Sequence, residues 1–301
     1  MQVPVTSDLG ELYSRADGAA CAAFLAKLAA EKTYAGRLQE AREFCLLRVT
    51  QALQEFRLMH ASAARYVANR LIFPPPLALL PLYSLAMTKF GALRGARKDV
   101  APDERLSMGF DLMGGSVRSI LDMIYPGLYV VTGDASQGQA PPGSQPPNPN
   151  IGVGEPGAWG VPGPDGSVTL PPQLPLTVER LDPKGAYLLD TGRIFVLLLG
   201  RAISPDFTQQ VFGLPAQASQ QELQAAKLEP ARNAPLSQRL NHVLGVLRQR
   251  KKSTHCLTFV VRQGDPQETY VMPYFIEDRG PNVPSYTEHL CYLHRAVLSK
   301  A

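Results

Sequence analysis

Three side chains that can bind a metal ion stand close together near the end of the sequence, namely His289, Cys291 and His294. Imidazole and thiolate groups are ordinary zinc ligands, and a tetrahedral site needs them gathered on one side of the chain. The surrounding residues predict a helix, on which offsets of two, three and five residues distribute these side chains around the axis. The sequence therefore does not predict a zinc site here.

Asp190 is the acidic side chain at a predicted turn over residues 190–192. A calcium site needs several clustered oxygen ligands, and Arg193, directly after the turn, would repel a cation. We interpret Asp190 as a turn residue rather than an acid catalyst. The sequence contains no phosphate-binding loop, nucleophile elbow or zinc-protease motif, so we expect no enzymatic activity and no bound cofactor or metal.

Two clusters of basic side chains could bind an anionic surface. A net charge of +4 is too small to predict a nucleic-acid partner. Contact with an anionic membrane is the functional hypothesis, at ~1 kcal/mol for each charge near the lipid. The alternative is structural, because cations at the end of a helix stabilise its dipole. The eight residues are Lys89, Arg94, Arg97, Lys98, Arg248, Arg250, Lys251 and Lys252.

The elements that position these residues are organised around an apolar stretch at 186–200. Residues 187–189 and 194–199 form two apolar runs, and Gly192 between them suits a tight hairpin turn. The second run shows no alternation, which predicts a central strand covered on both faces. Ser204 follows as a helix cap.

The residues before this hairpin have two different characters. Residues 1–132 predict helices, one of which is kinked at Gly114 and Gly115. Residues 133–172 are rich in proline and glycine, so we predict a disordered linker in which Trp159 is a solvated residue. The kinked helix is predicted to bury one apolar face, made of Leu106, Phe110, Met113, Val117, Leu121 and Ile124.

The residues after the hairpin predict two further helices and two strands. A basic amphipathic helix spans roughly 235–251, the strands span 256–261 and 268–276, and the last helix begins at Ser285 with a capping box. We therefore predict an α+β fold, with an all-α domain at 1–132, a linker at 133–172 and an α/β sandwich at 173–301.

The location of the protein is predicted from what the sequence lacks. The amino terminus has no apolar signal segment, and no apolar run is long enough for a membrane span. The cysteines Cys21, Cys45, Cys256 and Cys291 form no close pairs, which favours reduced thiols in a cytosolic protein.

The sequence resembles the C-terminal part of the cargo-adaptor subunit of the COPII vesicle coat. Five segments carry the resemblance in the order of that family, and they cover nearly the whole chain outside the predicted linker. The segments are VPVTSDLGELYSRAD at 3–17, LLPLYSLAMTK at 79–89, YPGLY at 125–129, ERLDPKGAYLLDTGRIFVLLLG at 179–200 and YFIEDRGPNVPSYTEHLCYLH at 274–294.

The resemblance implies a helical domain followed by a gelsolin-like domain, and a role that is not enzymatic. In that family the subunit sorts membrane cargo into vesicles that leave the endoplasmic reticulum, together with a GTPase-activating subunit. The implied partners are that subunit, the cytosolic tails of membrane cargo and an anionic membrane surface, with the protein peripheral on the endoplasmic reticulum and on vesicles. The family's zinc-ribbon cysteine pairs and trunk domain do not match any of these residues. The alternative function is a calcium- or actin-binding gelsolin-like module.

Overall fold

The computed structural model describes residues 5–60, 71–95, 100–132, 159–215, 218–226, 234–251 and 256–299. The chain forms two compact units. The helical unit comprises residues 1–125 together with 276–301, and the sheet unit comprises residues 126–275. These boundaries differ from the predicted 1–132 and 173–301, because the end of the chain belongs to the helical unit.

The helical unit is built from helices whose starts are visible in the sequence. Asp17 accepts hydrogen bonds from the amides of Ala19 and Ala20, and Ser116 caps a later helix in the same way. Alanines fill the buried side of the second helix, where they allow neighbouring helices to approach closely. The helices are α1 (Leu9–Ser14), α2 (Gly18–Ala35), α3 (Leu38–Met59), α4 (Leu80–Lys89), α5 (Pro102–Gly114) and α6 (Val117–Ile124).

The predicted kink is a complete break between α5 and α6. Gly115 ends the first helix and Ser116 begins the second. The predicted buried face of this segment is wrong at four of its positions, because Leu106, Phe110, Met113 and Val117 are exposed. The side chains buried on the two helices are Met108, Leu112, Ile120, Met123 and Ile124.

The last helix, α10 (Tyr286–Leu298), also belongs to the helical unit. Its predicted capping box is present, with the Ser285 hydroxyl accepting from the Glu288 amide and the Glu288 carboxylate accepting from the Ser285 amide. The helix contacts α3 and α4, and the side chain of Gln54 donates to the carbonyl of Ala296 at 2.8 Å. The sequence pattern predicted this helix correctly and assigned it to the wrong layer.

The sheet unit contains one five-stranded sheet, in which the hairpin lies at the centre. The strands are β1 (Gly127–Val130), β2 (Gln173–Leu174), β3 (Ala186–Asp190), β4 (Phe195–Leu199) and β5 (Thr258–Arg262), in the spatial order β2-β1-β3-β4-β5. Strands β3 and β4 are antiparallel with Leu188 opposite Leu197, and every residue of both strands is buried. Gly192 adopts φ +80° in the turn, as the hairpin requires. The predicted hairpin and central strand are confirmed.

Three parts of the sheet unit differ from the predictions. Strand β1 comes from the segment predicted to be helical, and residues 159–172 of the predicted linker are folded. Trp159 is 3% exposed and belongs to the apolar core, so its prediction as a solvated residue is wrong. The predicted strand at 268–276 is replaced by two 3₁₀ turns, and Pro273 within it lacks the amide hydrogen that a ladder needs. Residues 133–158 lie outside the described ranges.

Helices cover one face of the sheet and complete its core. They are α7 (Pro205–Phe212), α8 (Gln220–Ala225) and α9 (Pro235–Arg250). Helix α9 buries the predicted stripe of Leu236, Leu240, Val243, Leu244 and Leu247. The guanidinium of Arg239 lies 4.6 Å from the centre of the Trp159 ring, which fixes the tryptophan on this helix. In the described parts of both units, no helix is long and apolar enough to cross a membrane.

Candidate functional site

Lys89, the first residue of the predicted basic clusters, is inside the helical unit. It ends α4, is only 6% exposed, and donates to the carbonyls of Ile276 and Asp278 at 2.7 and 2.5 Å. Burial lowers the pKa of Lys89 to about 8, although the carboxylates of Asp278, Glu288 and Glu277 oppose that effect. Lys89 therefore holds the segment before α10 in place, and the prediction that it faces a membrane is wrong.

A buried pair of polar side chains lies close to Lys89. The Nε2 atom of His289 on α10 is 2.8 Å from the Oγ atom of Ser84 on α4, and the Ser84 hydroxyl donates to the carbonyl of Pro81. Burial lowers the pKa of His289 to about 4, and the Lys89 charge acts in the same direction. His289 is thus neutral near pH 7 and both side chains are inaccessible to substrate, so the pair is structural.

The three candidate zinc ligands at the end of the chain are not brought together. His289 is buried, Cys291 is exposed and His294 is half-buried on a different side of α10. No three His, Cys, Asp or Glu side chains among the described residues are grouped so that they could hold a metal ion.

Lys251 and Asp190 form an ion pair inside the sheet unit. The lysine ammonium contacts Oδ1 of Asp190, and their side chains are 10% and 7% exposed. The same ammonium lies 4.3 Å from the centre of the Phe195 ring, which adds a cation–π contact. The predicted turn role of Asp190 is present as well, because its carboxylate accepts from the Gly192 amide at 2.9 Å. An Asp190 so engaged is a poor calcium ligand, which disfavours the calcium-binding alternative.

The remaining predicted cations have mixed positions. The Arg248 guanidinium donates to the Cys256 carbonyl at 3.3 Å and to the Thr258 hydroxyl at 3.4 Å. Arg94 is half-buried and Arg250 is exposed. Arg97, Lys98 and Lys252 lie outside the described residues. Of the five cations that the structure describes, Arg250 is the one that is exposed. These five side chains therefore do not form a broad surface that could face a membrane.

A shallow hollow lies on the surface of α10. Thr287, Glu288, Cys291, Tyr292 and Arg295 border an open hollow of about 340 Å³. A shallow surface on one helix does not enclose a small molecule as an active site does. The hollow on α10 is therefore too open to enclose a small molecule.

Sequence reasoning missed the role of Ser84 and Lys89, although a signal was present. Both polar residues stand in α4, where nearly every neighbouring side chain is apolar and buried. A polar group in such a helix needs a partner, because an unsatisfied buried donor costs about 1–3 kcal/mol. The partners come from residues 276–289, and no local pattern identifies them.

Two family models match the chain. Residues 17–122 match the Sec23/Sec24 helical domain, and residues 167–244 match the gelsolin repeat. These matches lie within the helical unit and the sheet unit respectively. They confirm the predicted fold class, a helical domain followed by a gelsolin-like domain.

Curated relatives and a solved structure agree with these models. Protein transport protein SEC24 A of Arabidopsis thaliana is 32% identical over 98% of this chain, which spans 26% of that protein. Protein transport protein sec24 of Schizosaccharomyces pombe is 30% identical over 99% of this chain and 30% of its own length. The crystal structure of the human COPII-coat protein Sec24c has the same fold, with a TM-score of 0.75 and 20% identity over 98% of this chain and 33% of that one. The resemblance to the cargo-adaptor subunit of the COPII coat is confirmed: the chain carries Sec24-type helical and gelsolin-like domains.

Proposed function

We propose that this chain acts as a non-enzymatic part of a COPII cargo adaptor in transport from the endoplasmic reticulum to the Golgi. The observation that carries the proposal is the similarity to Sec24 proteins over 98% of the chain, through both units. These relatives are named as transport and coat proteins, and not as enzymes. Because the chain spans about a quarter to a third of their length, the role of the whole protein is part of the proposal.

The proposed partners are those of a coat subunit. The chain would associate with the GTPase-activating subunit of the coat and, within the assembled coat, act on the cytosolic tails of membrane cargo. It would be cytoplasmic and peripheral on the endoplasmic reticulum and on vesicles, and it would need no metal or cofactor of its own. Contact with anionic lipid would depend on exposed residues such as Arg250 and not on Lys89 or Lys251, whose charges are engaged inside the protein.

A binding experiment and a competition experiment test the proposal together. The purified chain should co-elute with the purified GTPase-activating subunit in gel filtration. In a budding reaction with endoplasmic reticulum membranes, excess chain should reduce cargo packaging by the full-length adaptor. The matched control is the Val196→Asp variant, whose sheet unit should not fold and which should lose any effect that depends on that unit. Failure of the intact chain in both experiments would overturn the proposal.

The actin-binding alternative is tested separately. Its basis is the gelsolin repeat at residues 167–244. A module of that kind should sediment with filamentous actin in a calcium-dependent way. We expect no calcium-dependent sedimentation, because Asp190 is held by Lys251 in the described structure.

A further inference from the structure

Strand β5 is the last strand of the sheet, and among the described residues one of its sides has no neighbouring strand. The Leu257 carbonyl accepts from the Phe195 amide of β4 at 2.8 Å, so the backbone groups of Leu257 turn towards β4. Because this direction alternates along a strand, the amide and the carbonyl of Val260, three residues further on, point away from β4. Backbone groups at such an edge can pair with another chain.

The outward groups of Val260 are bound by side chains of α8 instead of by a strand. Gln220 and Gln224 stand four residues apart and lie on one side of this helix. Both carboxamides donate to the Val260 carbonyl, that of Gln220 at 2.5 Å. The Gln224 carboxamide also accepts from the Val260 amide at 3.5 Å. It therefore stands where a peptide group of a sixth strand would stand.

Further contacts hold α8 against this edge. The helix has six residues, which is too short for an isolated helix to be stable in water. It begins with a capping box between Ser219 and Glu222, and its Leu223 side chain is fully buried in the core of the sheet unit. The Arg262 guanidinium of β5 donates to the Ala218 carbonyl, directly before the helix, at 3.2 Å. Helix α8 is thus held in place by the sheet that it covers.

The sequence at β5 is of a kind that pairs with itself. Residues 256–261, CLTFVV, contain no charged residue, no proline and no glycine. Segments of about six residues with high β propensity and low charge pair with identical segments when their edge is exposed. The side chains of Leu257 and Phe259 are 63% and 40% exposed, so an incoming strand would also cover apolar surface. The occupant that this uncharged edge fits is therefore a second copy of the same strand.

We propose that α8 is a cap on an edge strand that would otherwise pair with a second copy of this chain. Gln220 and Gln224 bind the Val260 amide and carbonyl, which are the groups that an incoming strand needs. Proteins protect edge strands with charged side chains or by covering them with another element. Residues 256–261 carry no charge, so the covering helix provides the protection here. The inference rests on the sheet unit alone and does not depend on the proposed coat function.

Sedimentation velocity of the complete 301-residue chain tests this inference. The capping variant Gln220→Met/Gln224→Met removes both carboxamides and keeps side chains of similar length and helix propensity. We expect its dissociation constant for self-association to be at least about tenfold lower than that of the original chain, a factor that corresponds to about 1.4 kcal/mol. The control Gln209→Met/Gln221→Met adds the same apolar groups at exposed positions of α7 and α8 and should behave like the original chain. Adding Phe259→Lys to the capping variant places a charge on β5 and should reverse the association.

Hydrogen exchange at low protein concentration separates loss of the cap from loss of folding. In the capping variant the Val260 amide should exchange at least about fivefold faster, while the Leu198 amide of the central strand β4 should stay protected. The single variant Gln224→Met keeps Gln220 and should shift both measurements less and in the same direction, which tests the cap even if the double variant unfolds. Unchanged self-association, equal association of the control variant, or association that Phe259→Lys does not reduce would overturn the proposal. So would a capping variant that stays monomeric and binds an unrelated extended peptide instead.

Discussion

The two units of this protein enclose a lysine in different ways. In the helical unit, Lys89 binds two backbone carbonyls, and burial lowers its pKa to about 8. In the sheet unit, Lys251 binds the carboxylate of Asp190 and lies over the Phe195 ring. A carbonyl pair supplies dipoles only, whereas a carboxylate supplies a full opposite charge. The sheet unit therefore contains a matched ion pair, and the helical unit contains one cation held by backbone.

The two units also differ in the contacts that hold their segments together. The central strands of the sheet unit are joined by apolar pairs across a short hairpin. The helical unit is closed by polar contacts between residues far apart in sequence, including Lys89 with Ile276, Ser84 with His289 and Tyr125 with Glu277. Apolar pairs do not titrate, while polar contacts depend on protonation. The buried His289 should accordingly make the stability of the helical unit depend on pH.

The largest expected effect concerns the apolar centre of the sheet unit. Val196→Asp places a carboxylate in β4, where the valine is 4% exposed. An unpaired buried charge costs several kcal/mol, which rivals the total stability of a domain. Circular dichroism and hydrogen exchange should show that the sheet unit does not fold. The control Val161→Asp, at a position that is 52% exposed, should melt like the original chain; equal melting of both variants would contradict the central-strand assignment.

The next effect concerns the ion pair in the sheet unit. Lys251→Met leaves the Asp190 carboxylate buried without its cation, and breaking a buried pair costs about 3–5 kcal/mol. Denaturant unfolding should report this loss. The double variant Asp190→Asn/Lys251→Met removes both charges and should recover part of it. If the single and double variants were equally stable, the ion pair would contribute nothing to folding.

A smaller effect is the pH dependence of stability that His289 gives to the helical unit. The pKa of His289 is about 4 in the folded protein, below the ordinary value of 6.5. Between these values the unfolded chain binds a proton that the folded chain does not, so stability falls as the pH is lowered from 6.5 to 4. The shift corresponds to a loss of at most about 3 kcal/mol, with no further change from this group below pH 4.

His289→Gln provides the matched control for that dependence. Glutamine does not titrate, so the stability of this variant should change less between pH 6.5 and pH 4 than that of the original chain. Denaturant midpoints at several pH values would measure the difference. Identical pH profiles for the two chains would show that His289 is not buried as described.

These comparisons show which parts of the structure the sequence could predict. The hairpin and the caps at Ser204 and Ser285 were predicted because their signals lie within a few residues. The prediction that Trp159 is solvated was wrong because it was based on the average composition of residues 133–172. Two apolar residues of this segment, Trp159 and Leu170, belong to the core. Periodicity found the apolar side of α5 but could not tell which of two apolar sides would be buried.

The site residues were harder to predict because their partners are remote. A lysine near a helix end looks the same in sequence whether it reaches solvent or the carbonyl of Ile276, 187 residues further along the chain. The assignment of α10 failed for the same reason, since an amphipathic stripe does not specify which layer covers it. Nothing in the spacing of His289 identified Ser84 as its partner.

The smallest expected effect tests the division of the chain into units. The composition of residues 133–172 predicts sensitivity to proteases. A specific protease site placed at residues 145–151 allows one controlled cut, which divides the chain into two pieces within that site. Strand β1 in the first piece pairs with β3 in the second, and α10 in the second piece packs in the helical unit of the first. We therefore expect the two pieces to remain together.

Gel filtration before and after cleavage measures this directly. The predicted layout, with independent domains at 1–132 and 173–301, requires the cut pieces to separate without denaturant. In the observed structure the two pieces should elute as one species. Their separation would break the pairing of β1 with β3 and the contacts of α10 with α3 and α4. Lys89→Met, which removes both hydrogen bonds to the segment before α10, should weaken this association without abolishing it. Strand β1 is untouched by that change, so only the contacts of α10 are loosened. Separation of the unmutated pieces would show that the helical unit is complete without residues 276–299.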